Sequence, residues 1–237
     1  MRTSFRFRET ILSVICDDGL DEVITDAVLE ARSVIEMKIS EDPFFGITYD
    51  PYPASRKDDP IIRRMCESSS KASVGPMAGV AGAVAVHTAE RLVDAGSSKV
   101  VVENGGDIAF MSHEPMAVGI FADHPVFRDM AFMMQSDIIT GICSSSRTVG
   151  HSVSLGSSSI STVFSDDVIL ADCFATRLGN IVTDEDSLEA SVKEVGSSDG
   201  IIGCMSCIGG KVAFFGDIPE IVPADCGEAE SVYNHRL

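Results

Sequence analysis

The 237-residue sequence contains no tryptophan, eighteen basic residues against thirty-six acidic ones, and no apolar run approaching bilayer length. Each shortage excludes something. A net charge of −18 gives a surface field that repels phosphate backbones, so nucleic acid and anionic membranes are poor partners. A membrane-crossing helix needs ~20 apolar residues, and none is available. The opening MRTSFRFRETILSVI is interrupted by Arg2, Arg6, Arg8 and Glu9, which leaves no secretory core, and a cytoplasmic location is expected. No convincing linker divides the chain, so one domain spanning 1–237 is expected.

The hydrophobic content of 45% supports a substantial core and excludes disorder. Seven cysteines without a secretion signal are expected to be reduced thiols. Cys204 and Cys207 form a CxxC, but the surrounding GIIGCMSCIGGKVAFFG reads as strand, Gly209-Gly210 turn and strand. Residues three apart on a strand face opposite ways. With no second ligand pair, both are expected to be small buried hydrophobes rather than a zinc or redox site.

Periodicity divides the chain into strands and helices. Phe5, Phe7, Thr10, Leu12 and Val14 suggest one long opening strand, and residues 20–42 carry a helical pattern through Val23, Ala27, Val34 and Ile35, ended by Pro43. The segment PFFGITYDPYPASRKDDP holds four of the nine prolines and reads as a long ordered loop that either covers a site or merely crosses the surface. A short helix follows from about Pro60 to Ser70. Residues 74–96 read as one helix, with Gly75 as N-cap, Pro76 first inside and Gly96 at the end. Its face of Gly79, Gly82, Ala83 and Val86 permits close packing by another backbone. Met116–Phe121, Phe132–Ile139 and Ser159–Phe164 read as strands. Ser165 or Asp166 is expected to cap a helix reaching Leu178, Thr183 to cap another reaching Val195, and a hairpin at about Ile201–Phe215 to close the chain. Alternating strands and helices with hairpins imply an α+β protein, a largely antiparallel sheet covered by helices.

Four segments carry candidate chemistry. In VVVENGGDIAF, a β-branched strand stops at Glu103, Asn104, Gly105, Gly106 and Asp107. One reading is a tight Gly-Gly turn between strands; the other is a ligand-facing edge where the main chain can be approached closely. In ADCFAT, Asp172 and Thr176 are four apart on one helical face, and two hard oxygens so placed suit Mg²⁺. The alternative is a surface Asp with a Thr bonded back to its own helix. GICSSSRTVGHSVSLG offers Ser144, Ser145 and Ser146, which either cradle a phosphate or form an ordinary turn. Arg147 adds a permanent positive charge that could pair with phosphate, and His151 an imidazole.

VGPMAGVAGA, ENGGDI, the serine block and ADCFAT, in that order, resemble the ApbE flavin-transferase superfamily. They look most like an ApbE-related family marked by VGPMA-VAGA and ENGGDI. The resemblance implies a duplicated T-fold, although no sequence repeat shows the duplication. It implies a cleft lined by Gly75, Pro76, Met77, Glu103–Asp107 and Ser144–Ser146, with Asp172 and Thr176 holding Mg²⁺ beside FAD or another nucleotide-like, small anionic ligand. Candidate catalytic residues are His151, Cys143 and Arg147. HSVSLG places Ser154 and Leu155 where flavin transferases have Asp-Pro, so a role without flavin transfer leads and FAD:protein FMN transfer is the alternative. A non-catalytic assembly subunit is a third reading. The resemblance also implies a role in sulfur assimilation into homocysteine with partner proteins, in which Cys143 or the Cys204/Cys207 pair would handle sulfur. Self-association is left open.

Overall fold

The computed structural model describes residues 2–8, 10–119, 127, 129–146 and 156–224. Nine strands among these form one antiparallel sheet: β1 (Arg2–Phe7), β2 (Thr10–Ile15), β3 (Val100–Asn104), β4 (Asp107–Gly119), β5 (Met130–Ser145), β6 (Ile160–Ser165), β7 (Gly203–Ile208), β8 (Lys211–Gly216) and β9 (Ile221–Pro223). Strands β1 to β8 lie in sequence order, and β9 pairs with β5. Five α-helices accompany them: α1 (Asp21–Glu41), α2 (Pro60–Ala72), α3 (Val80–Asp94), α4 (Val168–Ile181) and α5 (Leu188–Gly196).

The connectivity is a doubled unit. Strands β1-β2, three helices and β3-β4 make the first half; β5-β6, two helices and β7-β8 make the second, and β4–β5 pairing joins them. This is the expected α+β architecture of a duplicated T-fold. The duplication is also written in the sequence, contrary to expectation. Gly105-Gly106-Asp107-Ile108-Ala109-Phe110 and Gly209-Gly210-Lys211-Val212-Ala213-Phe214 each follow a strand, supply a two-residue turn and open its partner.

Side chains alternate between the two faces. Val100, Val102, Ala109, Cys143, Val163 and Cys204 face a core built with residues of all five helices. Val101, Ile108, Phe110, Ile142, Phe164, Met205 and Cys207 face a second core that contains no helical residue among the described ones. That outer face is covered by the sheet itself. Phe132 and Phe164 stack edge-on with centroids 5.0 Å apart. Yet Phe164 pairs with Ile142, ten residues along β5 from Phe132 and about 33 Å away on a straight strand. Irregularities in the β4–β5 ladder between Phe110 and Met116 supply the bend that folds the distal arm back.

Local signals set the helices. Acidic Asp21 and Glu22 open α1 and Lys38 closes it, matching the helix dipole. Asp59 caps α2 by accepting from Ile61 N–H, with Pro60 first inside. Several expectations are corrected. The opening strand is a hairpin, β1-β2, turning at Arg8 with φ 52°, where the alternation changes phase between Phe7 and Thr10. Asp167, not Ser165 or Asp166, caps α4, because its carboxylate reaches both Ile169 and Leu170 N–H. Ser187 rather than Thr183 precedes α5. The helix expected over 74–96 begins as a separate 3-10 turn, Pro76–Gly79, and only then becomes α3. Gly96 does take the left-handed conformation past its end, φ 93°.

Candidate functional site

Sheet register aligns Leu12, Asn104, Asp107, Cys143, Val163 and Cys204 in one row across β2 to β7. All point to the helix-covered side, and the middle of the row is polar. Over that middle cross the start of α3 and the body of α4. Glycine makes this approach possible: a Cβ on Gly79 would lie 2.8 Å from Cys173 Sγ and from Ile169 Cγ2, and one on Gly82 would lie 2.9 Å from Val168 O. The small-residue face of α3 is therefore the contact expected of it.

Gly79, at the N-cap of α3, has no side chain to satisfy the first free N–H groups. Asp172 of α4 does so instead. Its Oδ2 accepts from Gly82 N–H at 2.8 Å, and the carboxylate also accepts from Ala81 N–H. From the sheet side, Asn104 Nδ2 donates to Ala81 O at 3.1 Å. Asp107 accepts from Ser144 N–H and from the Cys143 thiol.

Both carboxyls are buried, with 8% of Asp107 and 6% of Asp172 exposed. Burial first, then the Asp172 charge, pushes the Asp107 carboxyl well above its ordinary value. Burial pushes Asp172 up to about 7, against the pull of the Gly82 and Ala81 N–H groups. Burial, then the two carboxylates, pushes the Cys143 thiol well up, and its Sγ lies 3.5 Å from Val168 O. Cys143 is thus a thiol at neutral pH, not a nucleophilic thiolate. Among the described residues no basic side chain pairs with either carboxyl.

Such a donor set fits a hard cation, whose charge would relieve two crowded carboxylates. Thr176 stands one turn along α4 from Asp172, half-buried, as the spacing requires. No three His, Cys, Asp or Glu side chains among the described residues group as a metal site. Backbone carbonyls, the Thr176 hydroxyl, water or ligand oxygens would have to complete the shell.

The remaining expected residues divide. Asn104 and Asp107 are brought to the site, but Gly105 and Gly106, with φ 67° and 106°, form the two-residue turn between them. Glu103 points to the opposite face and closes that turn by accepting from Gly106 N–H at 3.2 Å. Ser144 and Ser145 lie inside β5 rather than in a turn, since their backbone pairs with β6. Ser144 gives Asp107 its N–H, while its hydroxyl bonds Thr162 at 2.9 Å. Ser146 donates its hydroxyl to Ser159 O. The serine hydroxyls therefore form no open cradle among the described residues. Gly75 and Pro76 are buried and Met77 is half-buried. A Cβ on Gly75 would lie 2.0 Å from Thr48 O, so Gly75 seats the proline-rich segment rather than a ligand. Arg147, His151, Ser154 and Leu155 lie outside the described residues. All six described cysteines are buried and free, with Cys204 and Cys207 on opposite faces as the strand period required.

Sequence reasoning missed the backbone N–H groups of Ala81 and Gly82 as carboxylate partners. It also left open the role of Thr48 and Tyr49. Their segment lies on the turn that leads into α3, with Ile47 and Tyr49 exposed beside it.

A family model described as AbpE bacteria matches residues 2–199. The chain belongs to this family. Relatives include a UPF0280 protein from Methanocella arvoryzae, 39% identical over 93% of this chain and 90% of its own length. Another, from Archaeoglobus fulgidus, is 37% identical over 96% and 97%. Among solved structures, the flavin transferase ApbE from Vibrio cholerae superposes with a TM-score of 0.58 at 12% identity, over 91% of this chain and 96% of that one. The ApbE protein from Thermotoga maritima gives 0.59 at 12%, over 90% and 96%. At that identity the likeness fixes the fold, and the family is ApbE-related in architecture. No single helix among the described residues is long and apolar enough to cross a membrane.

Proposed function

We propose that this family member binds a flavin nucleotide or similar small anionic ligand at the crossing of α3, α4 and the β3–β4 turn, through a divalent cation held by Asp172, Asp107 and Thr176. One observation carries the reading: two carboxyls are buried within reach of each other's charge, with no basic partner among the described residues. An acidic chain of net charge −18 also has little native attraction for a phosphorylated ligand, and a bridging cation supplies it. The ApbE structural neighbours include flavin transferases, which favours a flavin nucleotide among the candidates. Mg²⁺ bound here would neutralise phosphate oxygens. The chain's own part is to orient Asp172 through Gly82 and Ala81, to hold Asp107 through Ser144, and to keep water from the inner side.

The test is titration with FMN and FAD, with and without Mg²⁺, on the wild type and on Asp172→Asn. Binding that requires Mg²⁺ and weakens at least tenfold in the variant is expected; Mg²⁺-independent binding of equal strength in both would overturn the reading. FAD:protein FMN transfer is the second reading, favoured by the flavin transferases among the structural neighbours, and a flavin-labelled acceptor band would establish it. The role in sulfur assimilation into homocysteine rests on resemblance alone. The burial of Cys143, Cys204 and Cys207 speaks against a cysteine carrying the sulfur. Unchanged sulfide-limited growth with all three replaced by alanine is therefore expected even if the physiological role is correct.

A further inference from the structure

We infer that Lys38 is a positioning residue that fixes one wall of this site, by clasping both ends of the proline-rich segment between α1 and α2. The inference rests on the ligand-binding reading above and names what holds the outer side of that site.

The segment leaves α1 at Asp42 and returns at Asp59. Near its start, Asp42 Oδ1 accepts from Phe44 N–H at 3.0 Å and Oδ2 from the Tyr52 hydroxyl at 2.5 Å. Near its end, Asp58 Oδ2 accepts from Ser55 N–H at 2.7 Å. Lys38, in the last turn of α1, reaches both parts. Its ammonium donates to Asp58 Oδ1 at 2.9 Å and lies 5.3 Å from the Tyr52 ring centroid and 6.0 Å from that of Phe45. The two rings meet edge-on at 5.4 Å, and Phe45 is fully buried. Only 14% of the Lys38 side chain and 11% of Asp58 are exposed, so this ion pair is shielded more than a surface pair.

Between the anchors the chain crosses Gly75. Thr48 is buried there, with its carbonyl against the glycine, whereas Ile47 and Tyr49 are 72% and 71% exposed. The turn beneath is the one that leads into α3 and its Asp172-bound N–H groups. Freeing the crossing is expected to move the exposed Ile47 and Tyr49 over the turn that leads to the site, while Asp107 and Asp172, held from β5 and α3, stay in place.

The decisive comparison is wild type against Lys38→Met and Lys38→Arg, with Asp58→Asn as a second, milder break in case Lys38→Met does not fold. Trypsin cleavage at the exposed Arg56 and Lys57 reports the clasp, FMN affinity in Mg²⁺ reports the wall, and Mn²⁺ affinity reports the carboxylates. Lys38→Met, or Asp58→Asn in its place, is expected to be cleaved at least tenfold faster and to bind FMN at least fivefold more weakly, with Mn²⁺ affinity unchanged. Lys38→Arg should stay close to wild type in all three. Faster cleavage with FMN affinity unchanged, or unchanged cleavage, overturns the inference alone. A wild type that binds neither FMN nor FAD defeats the functional reading, and this inference with it.

Discussion

The backbone N–H of Gly82 donates to Asp172 Oδ2 at 2.8 Å, so a carboxylate of α4 caps the first turn of α3. The bond exists because Gly82 lacks a Cβ, which would lie 2.9 Å from Val168 O and 3.0 Å from Asp172 Cβ. Helix propensity favours alanine by ~1 kcal/mol, whereas overpacking costs about 1–3 kcal/mol. Gly82→Ala is expected to lose up to about 2 kcal/mol net, seen as a lower urea midpoint. A midpoint above wild type would mean that α3 and α4 are not this close.

Stability should fall with rising pH on account of Asp172. Its folded carboxyl titrates at about 7 because burial favours the protonated form, and the ordinary value is 3.8. A raised acid binds its proton more tightly when folded, so the stabilisation is complete below the unfolded value and is lost as pH climbs through about 7. The span corresponds to a loss on the order of 4 kcal/mol. Asp172→Asn should therefore match or trail wild type near pH 4 and exceed it at pH 8 without divalent cation, measured by urea unfolding at both pH values. Parallel pH profiles would contradict the burial of this carboxyl.

Gly105→Ala separates turn from site. Gly105 has φ 67° and nothing within 4 Å of where a Cβ would stand, so the left-handed backbone is the whole cost, ~1–2 kcal/mol. Ligand affinity should be unchanged. A loss of affinity without loss of stability would return the turn itself to the binding surface.

Six described cysteines are buried, and burial raises the thiol pKa of each, to about 11 for Cys66 and about 12 for Cys204. Cys226 lies outside the described residues. In native buffer, an aromatic disulfide reagent should titrate rapidly no more than one of the seven thiols, and all seven in urea. Rapid reaction of two or more would show that the core opens readily.

Much of this was legible in the residues. Strand alternation and the Pro-first helix starts carry most of the element order, the β1-β2 hairpin excepted, and the period of the CxxC puts its cysteines on opposite strand faces. The small-residue face of α3 announced a close crossing. What stayed hidden depends on pairing between distant segments. Register alone decides that Asn104 and Asp107 look inward while Glu103 looks out. The hydroxyls of Ser144, Ser145 and Ser146 looked like a turn because composition does not say whether a serine run is paired to β6. The backbone donors Ala81 and Gly82 carry no side-chain signal. The repeat escaped notice because only Gly-Gly, Ala and Phe are identical between its two copies.

That repeat sets a count. The two Gly-Gly turns occupy corresponding places on the helix-covered side, but the residue after the first is Asp107, buried, and after the second Lys211, exposed and paired with Glu185 at 3.2 Å. A symmetric scaffold is thereby made chemically one-sided. Among the described residues only one of the two turns carries a buried carboxyl, so a ligand held through the proposed cation is expected to bind one to one.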